Sequence, residues 1–516
     1  MENKLMISDL TEMIPANHTL RVNQQRNVSY LLDISQSFAR DAQYESTTPP
    51  SVQDDVLVLE SGHQPNYFPY SGVWKKVFLL DQFREMLDKK GMCGIAFFGF
   101  ADQNVTTAPY LYKNQILALN KTGMQKIGFT VKGSDKWKRF DTLTKPLPEE
   151  WEKEMRAMKK LSLAVRSESS AIMEIMEESY ERADSFSDLN TYIFSRISKE
   201  ILGCDIHFFR YSDVHRNQLF SDECKQILEM IDCYSSVYNE VIREEKIPSR
   251  PVVSGEIPFW YHCDCGGKIP LVIDSPDICR GVCPVCKIEC ELDFGTDFNR
   301  FDNFSKNIGF TAVSRNLIFS EGLGTHIFIS GTGGGLRYGK ISNAISSEIG
   351  FNQPLTCSWS SKDYYLGKIH TNALKELQNM FSLTRAEMLD EALDERIHQF
   401  REDLNHKVIE MEAEDADSKS IRLYRGRYLG SATIAELVSR VFSTTPSMLD
   451  IYLNVDSEEI LKSWGNALAC SVPERYDSTC GITQDSVYDT GEDSGFSLDE
   501  IPILYRNMSA IGGKTK

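Results

Sequence analysis

The feature that most constrains the fold of this chain is an alternation of short apolar runs with longer helical patterns. The β-rich runs cover residues 56–59, 94–100, 127–131 and 205–210, with a further run at 325–329. Helical patterns fall between them, for example at 148–163 and 216–244. Strands that alternate with helices predict a mostly parallel, doubly wound sheet. The predicted fold class is therefore α/β with a Rossmann-like, mostly parallel sheet.

The turn after the first predicted strand reads Gly-His-Gln-Pro-Asn at residues 62–66, and a helical pattern follows it. Open α/β folds bind ligands at the carboxyl ends of their strands, and a helix start favours an anion. We therefore predict His63 and Asn66 as catalytic residues that stabilise phosphate or oxyanion charge. The alternative is a polar strand–helix turn in which His63 is only a cap.

The second predicted strand ends in the polar residues Asp102, Gln103 and Asn104. These side chains are expected to lie beside the His63 turn, where they are candidates to bind a substrate amine or hydroxyl. We predict Asp102 as the catalytic residue that holds or deprotonates the amine. Lys113 and Asn114 lie just beyond and add a cation and an amide as candidate substrate-binding groups. An Asx-type turn at 102–104 and a surface lysine at 113 are the structural alternatives.

A glycine-rich stretch at residues 330–337 follows the apolar run at 325–329. Glycines let backbone N–H groups approach a phosphate or carboxylate closely. The stretch lacks the Gly-Lys-Ser/Thr ending of a Walker loop and the spacing of the dinucleotide fingerprint, and a plain tight turn is the alternative. The candidate substrate-binding residues here are Gly333, Gly334, Gly335 and Arg337, together with Arg315 upstream.

Six of the 13 cysteines fall within residues 263–290 and include two close pairs that are separated by 17 residues. Two such pairs are typical of a zinc ribbon, in which four thiolates close the tetrahedral shell of Zn²⁺. The zinc is predicted to be structural, because four thiolates leave no open position for a substrate. The predicted metal ligands are Cys263, Cys265, Cys283 and Cys286, and the rival ligands are Cys279, Cys290 and His262.

The composition, with 41% hydrophobic and 25% charged residues, is that of an ordinary globular chain with a formal net charge of −18. This charge argues against a general nucleic-acid or anionic-membrane surface, but it leaves room for a local basic pocket. No apolar run reaches the ~18 residues that span a bilayer, and the first residues lack a signal-peptide core. We therefore expect a cytoplasmic protein that acts on a small molecule and has no membrane partner.

Six regions are predicted along the chain. They are an N-terminal extension (1–55), the first part of the Rossmann-like core (56–256), a zinc-binding module (257–296), the second part of the core with the glycine-rich loop (297–368), a helical coiled-coil region (369–467) and a flexible acidic tail (468–516). The charged helical pattern is typical of a solvated or coiled-coil helix. A homodimer through this arm is the candidate assembly.

Residues 62–70 and the blocks at 112–116 and 123–125 resemble the motifs of WbqC-like proteins, which are much shorter. In layout, residues 56–420 resemble the bacillithiol-biosynthesis BshC family of cysteine-adding enzymes, which also have a coiled-coil arm. In that comparison Gln64 joins His63 in the first motif. The second motif reads Asp-Gln-Asn here, where that family has a Glu-Asp-His-Asp pattern.

The resemblance implies a ligase or transferase that joins an amino acid, with cysteine as the candidate, to an amine-bearing acceptor. Amide formation needs an activated carboxylate, so ATP or an aminoacyl donor is implied. The cysteine module is similar instead to zinc modules of class I aminoacyl-tRNA synthetases, so one alternative is a synthetase-like nucleotidyltransferase whose zinc module contacts tRNA. The missing second histidine of their His-x-Gly-His site counts against it. The other alternative is a non-enzymatic zinc-ribbon and coiled-coil assembly factor.

Overall fold

The computed structural model describes residues 19–46, 50–162, 169–332, 334–414, 417–471, 474–476 and 479–511. The strands are β1 (Leu57–His63), β2 (Gly94–Phe100), β3 (Lys113–Leu117), β4 (Met124–Gly128), β5 (His207–Arg210), β6 (Glu256–His262), β7 (Lys268–Ser275), β8 (Ile278–Val282), β9 (Glu289–Asp293), β10 (Ile308–Phe310), β11 (Ile327–Ser330), β12 (Leu355–Trp359), β13 (Asp363–Tyr364), β14 (Glu474–Tyr476), β15 (Thr479–Ile482) and β16 (Ser486–Val487).

The α-helices are α1 (Val22–Ala42), α2 (Ser71–Lys89), α3 (Pro148–Ser162), α4 (Ser169–Arg182), α5 (Phe186–Arg196), α6 (Tyr211–Arg216), α7 (Ser221–Glu229), α8 (Ile231–Glu244), α9 (Ala312–Leu323), α10 (Gly334–Ile349), α11 (Lys368–Phe381), α12 (Arg385–Leu389), α13 (Leu393–Ala413), α14 (Ser418–Ser443), α15 (Met448–Asn454), α16 (Ser457–Cys470) and α17 (Ile501–Ala510). Within the described part of the chain, no helix is both long and apolar enough to cross a bilayer.

The main sheet has seven strands in the order β14-β15-β12-β11-β1-β2-β5. Six of them are parallel, and β14 pairs antiparallel to β15 at one edge. The chain starts in the middle with β1, adds β2 and β5 on one side, and then returns to β11 on the other side. The order of the strands therefore reverses between β1 and β11. Open α/β sheets bind ligands at the carboxyl ends of the strands at such a position, and we refer to the region at the carboxyl ends of β1 and β11 as the crevice.

Helices cover both faces of this sheet, which explains why its central strands are apolar in nearly every position. Leu57 and Leu59 belong to the same buried core as Trp74 of α2. Val58, which points to the opposite face, belongs to a second core together with Leu317 of α9. Successive side chains of a strand thus enter two different cores, and the mixed α/β prediction with a parallel sheet is confirmed.

A separate antiparallel sheet, in the order β10-β6-β7-β8-β9, carries the clustered cysteines. The predicted module at 257–296 matches β6 to β9, and the sheet extends beyond it, because β10 pairs with β6. Strand β10 leads directly into α9 of the α/β core. The module is therefore joined covalently to a helix that borders the crevice.

Two predictions about the organisation of the chain are wrong. The run at 127–131 does not enter the parallel sheet, because β4 pairs with β3 in a separate hairpin. The described part of the N-terminal extension contains α1, which packs against β5. The region 468–516 is not a flexible tail in its described part: β15 is a strand of the main sheet, and α17 packs against α14.

The physical reason for the folded tail is a small number of well-spaced apolar residues in a polar stretch. Cys480, Ile482, Tyr488 and Leu504 are all at most 1% exposed, although Ser, Asp and Gly dominate the sequence around them. The predicted helical region 369–467 does consist of helices, α11 to α16. Its pairing with a second chain stays a prediction.

Candidate functional site

The crevice between β1 and β11 is bordered by residues of both strand ends and of the helix that follows β1. His63 is the last residue of β1, and Gly331 directly follows β11. From α2, the Nζ of Lys76 donates a hydrogen bond to the carbonyl oxygen of Gly62 at 3.0 Å. A methyl group placed on Gly331 would lie 3.5 Å from the same Nζ. The Lys76 side-chain nitrogen thus binds the end of β1 and lies beside the residue that follows β11, close to the start of α10.

A second cation reaches this crevice from α9. The hydroxyl of Thr311 caps α9 by accepting from the backbone N–H of Ser314 at 3.3 Å, and Arg315 is the next residue. Its guanidinium carbon lies 5.0 Å from the centre of the Tyr211 ring, in cation–π geometry. The cap at the helix start therefore fixes the position from which Arg315 faces the strand ends.

Two adjacent glycines make room for Tyr211. Gly62 and Gly99 are paired across β1 and β2. A methyl group on Gly62 would lie 3.0 Å from the Tyr211 hydroxyl, and one on Gly99 would lie 2.9 Å from it. Real Cβ atoms are not accommodated at such distances without movement of the ring. The glycine of the 62–66 turn is thus needed for the close approach of the aromatic ring that supports Arg315.

The site has an excess of positive charge that is poorly neutralised. Among the described residues, no carboxylate lies within the ion-pair distance of 4 Å from Lys76 or Arg315, although Lys76 is only 9% exposed. Burial, and then the charge of Arg315, lower the pKa of Lys76 to about 7. Glu60 lies in β1, three residues before His63. Burial raises its pKa to about 7, while the hydrogen bond from the Thr325 hydroxyl and the charge of Arg315 act in the opposite direction. An anion that entered here would relieve the repulsion between the two cations.

His63 is held in one orientation and is neutral at pH 7. Its Nδ1 lies 2.9 Å from the carbonyl oxygen of Gln64, and since a carbonyl only accepts, Nδ1 carries the proton and Nε2 keeps its lone pair. Burial, followed by the charge of Lys76, lowers the pKa of His63 to about 3, against the hydrogen bond to Gln64. His63 therefore presents a proton acceptor beside the cations.

Asp102 lies at the same edge of the sheet but is fully engaged in hydrogen bonds. Its carboxylate accepts from the backbone N–H of Ser212 at 3.0 Å, which caps the start of α6, and also from the hydroxyls of Ser212 and Ser187. Burial, and then the nearby Asp141, raise the pKa of Asp102 to about 7. The side chain is 0% exposed, so the geometry favours a structural function over contact with substrate.

The backbone of residues 102–104 forms hydrogen bonds with the neighbouring loop at 139–142. The carbonyl oxygens of Asp102 and Asn104 accept from the backbone N–H groups of Asp141 and Phe140 at 3.0 and 2.9 Å. The Gln103 side chain points toward Gly309 of β10, on which a methyl group would lie 3.1 Å from Oε1. Residues 102–104 therefore connect the sheet to the 139–142 loop and to the cysteine-bearing sheet.

The structural function of Asp102 predicts different effects of two substitutions. Asp102→Ala leaves the N–H of Ser212 without its buried acceptor and should lower the free energy of unfolding by about 1–3 kcal/mol. Asp102→Asn keeps an acceptor and should change it by less. Urea unfolding followed by circular dichroism measures both values. Equal stability of the Ala variant and the wild type would contradict this function.

Five other predicted site residues lie away from the crevice or outside the described residues. Asn66 lines a cavity of about 10 Å³ with Trp74 and Phe194, large enough for about one water molecule. Asn114 donates to the carbonyl oxygens of Tyr67 and Phe68 and so holds the backbone of that loop. Lys113 faces the ring of its neighbour Tyr112 at 5.6 Å, Arg337 is exposed on α10, and Gly333 lies outside the described residues.

The cysteine cluster has the geometry of a tetrahedral thiolate site. The Sγ atoms of Cys263 and Cys286 are 3.6 Å apart, those of Cys265 and Cys283 are 3.5 Å apart, and all four lie within 4.8 Å of one another. A zinc ion with Zn–S bonds of about 2.3 Å requires sulfurs about 3.8 Å apart. The four thiols therefore fit Zn²⁺, and they can hold a metal ion.

Backbone N–H groups are directed at these sulfurs, as in structural zinc knuckles. Burial raises the pKa of the Cys283 thiol, but the N–H groups of Cys286 and Val285 outweigh it, and the pKa falls to about 7. The rival ligands remain outside the cluster. Cys279 and Cys290 lie on β8 and β9, and the Nε2 of His262 is buried near Gly309 with no hydrogen-bond partner among the described residues.

Sequence reasoning missed two residues of the site, Lys76 and Tyr211. A usable signal existed for Lys76, because residues 73–80 are apolar around most of the helix, and a helix of that kind is buried. A lysine within it must therefore be buried as well. No comparable local pattern marks Tyr211, which reaches the site from the start of α6.

Comparisons with known proteins add little to this geometry. No family model and no curated protein matches the chain. Among solved structures, arginyl-tRNA synthetase from Thermus thermophilus is similar over 93% of this chain and 76% of its own, with 11% identity and a TM-score of 0.26. Agreement at that level supports no argument about fold or function.

Proposed function

We propose that this protein is a ligase or transferase that binds an anionic, activated acyl compound at the crevice between β1 and β11. The observation that carries the proposal is a pair of cations, the buried Lys76 and the half-buried Arg315, neither of which has a carboxylate partner within 4 Å among the described residues. Lys76 also lies beside Gly331, just before α10. A buried cation that no carboxylate neutralises is costly unless a ligand supplies the opposite charge. Phosphate and carboxylate groups are the anions that fit such a site.

The strand order supports a nucleotide or a similar phosphate compound as the ligand. Numbered along the chain, the six parallel strands follow the spatial order 3-2-1-4-5-6, which is the order of doubly wound, Rossmann-like folds. Those folds bind phosphates where the order reverses, and here that position is occupied by His63 and Gly331. ATP or an aminoacyl donor is the proposed source of activation.

The proposed reaction forms an amide between an amino acid and an amine-bearing acceptor, as in the BshC family that the sequence resembles. The amine nitrogen attacks the carbonyl carbon of an acyl phosphate or acyl adenylate. The C–N bond forms, and the C–O bond to phosphate breaks, so that the phosphate leaves with the bonding electron pair. Lys76 and Arg315 stabilise its charge, and the Nε2 of His63 accepts the proton that the amine loses.

The low pKa of His63 is compatible with this step. Lys76 is one cause of that low value, so a bound anion that offsets the charge of Lys76 raises the pKa toward the range of an effective base. The base is thus weak in the empty pocket and stronger once the phosphate group is present. The metal ion in the four-thiolate site would support the local fold without contacting substrate.

Anion binding itself provides the direct test. Titration calorimetry with sulfate and with pyrophosphate should show binding to the wild type, and Lys76→Ala or Arg315→Ala should each weaken it at least about tenfold, since a charge-assisted hydrogen bond contributes about 1.5–3 kcal/mol. The exposed Lys375→Ala and Arg422→Ala variants are matched controls and should bind as the wild type does. Binding that is unchanged in both crevice variants would refute the proposed site.

The same titration has an expected pH dependence. Sulfate keeps two charges between pH 6 and 9, whereas Lys76, with its pKa of about 7, loses its proton as pH rises through that value. Glu60 gains a negative charge over the same range, and His63 stays neutral. Sulfate affinity should therefore fall as pH rises from 6 to 9. Lys76→Arg, which stays protonated, should reduce the change near pH 7, and a steeper fall in that variant would contradict the assignment.

A further inference from the structure

A second cavity lies beside the main sheet, between α1 and the segment that joins α6 to α7. Its volume is about 820 Å³, which is in the range of pockets that hold small molecules. Residues of α1 form one wall, and residues 217–223 form the other. None of His63, Lys76 and Arg315 lines it, so this cavity is separate from the crevice.

The segment that joins α6 to α7 has a fixed shape. Gln218 and Phe220 have φ angles of 55° and 71°, a left-handed conformation that costs free energy for residues other than glycine. The side-chain amide of Gln218 donates to the carbonyl oxygen of Asp302 and to the hydroxyl of Ser305, both at 2.8 Å. The ring of Phe220 packs on Phe319 of α9, with 4.6 Å between the ring centres. These contacts hold the segment in its unfavourable conformation and so maintain the wall of the cavity.

A buried carboxylate without a cationic partner lines this cavity. Glu223 of α7 is 3% exposed, and in the part of the chain that the structure describes no lysine, arginine or histidine nitrogen lies within 4 Å of its carboxylate. It accepts a long hydrogen bond of 3.4 Å from the Nδ2 of Asn27, which also donates to the carbonyl oxygen of Gly322 at 3.0 Å. Burial raises the pKa of Glu223 to about 7. Such a buried charge is costly unless a ligand supplies the opposite one.

The rest of the lining also carries more negative than positive charge. Besides Glu223 it contains three aspartates and a single arginine, Arg26. The guanidinium of Arg26 lies 4.0 Å from the carboxylate of Asp222, which is longer than a hydrogen bond. Asp33 of α1 has no cation within 4 Å among the described residues. The charges around the cavity therefore favour a cationic ligand.

The geometry fits an organic cation better than a metal ion. Among the described residues, only the four cysteines form a group of three or more potential metal ligands whose atoms converge within 4.8 Å. The carboxylates of the cavity do not meet at one point in this way. Apolar side chains also line it, since Tyr30 is 53% exposed there and Ile34 is buried in its wall. An ammonium group binds a carboxylate or the face of a tyrosine ring, and carbon atoms attached to it pack on apolar surface.

We propose that this cavity binds a small organic cation, a molecule with a protonated amine and an apolar segment. The amine donates hydrogen bonds to the carboxylate of Glu223, and the apolar segment packs against Tyr30 and Ile34. The inference goes beyond the proposed function, because the two sites share no residue and neither requires the other. It assigns the protein a second ligand site, of opposite charge to the crevice.

The test compares phenethylamine with phenethyl alcohol, which has the same ring and no charge. Titration calorimetry of the full-length protein at pH 8 keeps the amine protonated and Glu223, with its pKa of about 7, mostly ionised. The alcohol should bind at least about tenfold more weakly than the amine, and Glu223→Gln should weaken amine binding at least about tenfold. Tyr30→Ala should weaken it about two- to fivefold. Glu229→Gln, at an exposed position of the same helix, is the matched control and should bind as the wild type does.

Three results would overturn the inference. They are a wild type that does not bind phenethylamine, equal affinity for the amine and the alcohol, and an affinity for the amine that Glu223→Gln leaves unchanged. A thermal melt of each variant shows whether it is folded. Should Glu223→Gln melt at a much lower temperature than the wild type, the exposed Tyr30→Ala variant decides in its place, and amine binding equal to that of the wild type then refutes the site.

Discussion

Replacing Cys283 and Cys286 together with serine is expected to abolish metal binding and to unfold the antiparallel sheet of β6 to β10. The wild type should carry about one zinc ion per chain, because the described residues contain one four-thiolate shell. Structural zinc contributes about 10–16 kcal/mol in zinc-finger peptides, and its loss removes that folding free energy. Zinc content by elemental analysis and soluble yield should therefore fall together.

The matched control for this variant is Cys290→Ser. Cys290 belongs to the same sheet and is half-buried, but its sulfur lies outside the four-cysteine cluster. That variant should keep its zinc and its yield. Full zinc occupancy in the Cys283→Ser, Cys286→Ser double variant would show that the ligand set is different from the one assigned here. Loss of zinc in Cys290→Ser would point to the same error.

The substitution His63→Ala should reduce turnover by about 10²–10³-fold while leaving the fold nearly intact. Among the described residues, the side chain makes one hydrogen bond, to the carbonyl oxygen of Gln64, whose loss costs about 1 kcal/mol. Removal of the general base that accepts the proton of the amine costs far more in rate. Activity is measured as phosphate or pyrophosphate release from ATP with a panel of amino acids and amine acceptors, and products are identified by mass spectrometry.

A thermal melt distinguishes a catalytic histidine from a structural one. His398→Ala, on the exposed side of α13, is the matched control and should preserve both the melt and the rate. A much lower melting temperature for His63→Ala would show that His63 is structural. Turnover at the wild-type rate would remove it from the reaction, even if anion binding at Lys76 and Arg315 persisted.

The turn at residues 62–66 illustrates how far sequence reasoning extends. Its position after an apolar run and before a helix predicted a strand end, and β1 ends at His63. The same turn was expected to bring Asn66 into the site, but residues 65–70 turn into the interior. There, the Pro65 carbonyl oxygen accepts from Asn190, and Asn66 lines a small cavity. Strand ends follow from local pattern, whereas the direction of a loop depends on what packs against it.

Asp102 shows a second limit of sequence reasoning, since a residue predicted to contact substrate has a structural function. A carboxylate at a strand end predicts a ligand contact, yet α6, which starts more than 100 residues later, uses this carboxylate as its cap. Caps within one helix are visible in sequence because donor and acceptor are close along the chain. A cap that comes from a distant element cannot be recognised in the sequence, because the capping residue is not near the helix along the chain.

The sequence by itself determined the elements whose signal is local: the apolar strands at 56–59 and 94–100, and the cysteine spacing that gathers four thiols at one point. Only the tertiary structure decided which polar residues meet at the crevice. Lys76, Tyr211 and Arg315 come from three helices spread over almost 240 positions. They converge because parallel strands align their carboxyl ends and helices pack on both faces, and no periodicity along the chain encodes that convergence.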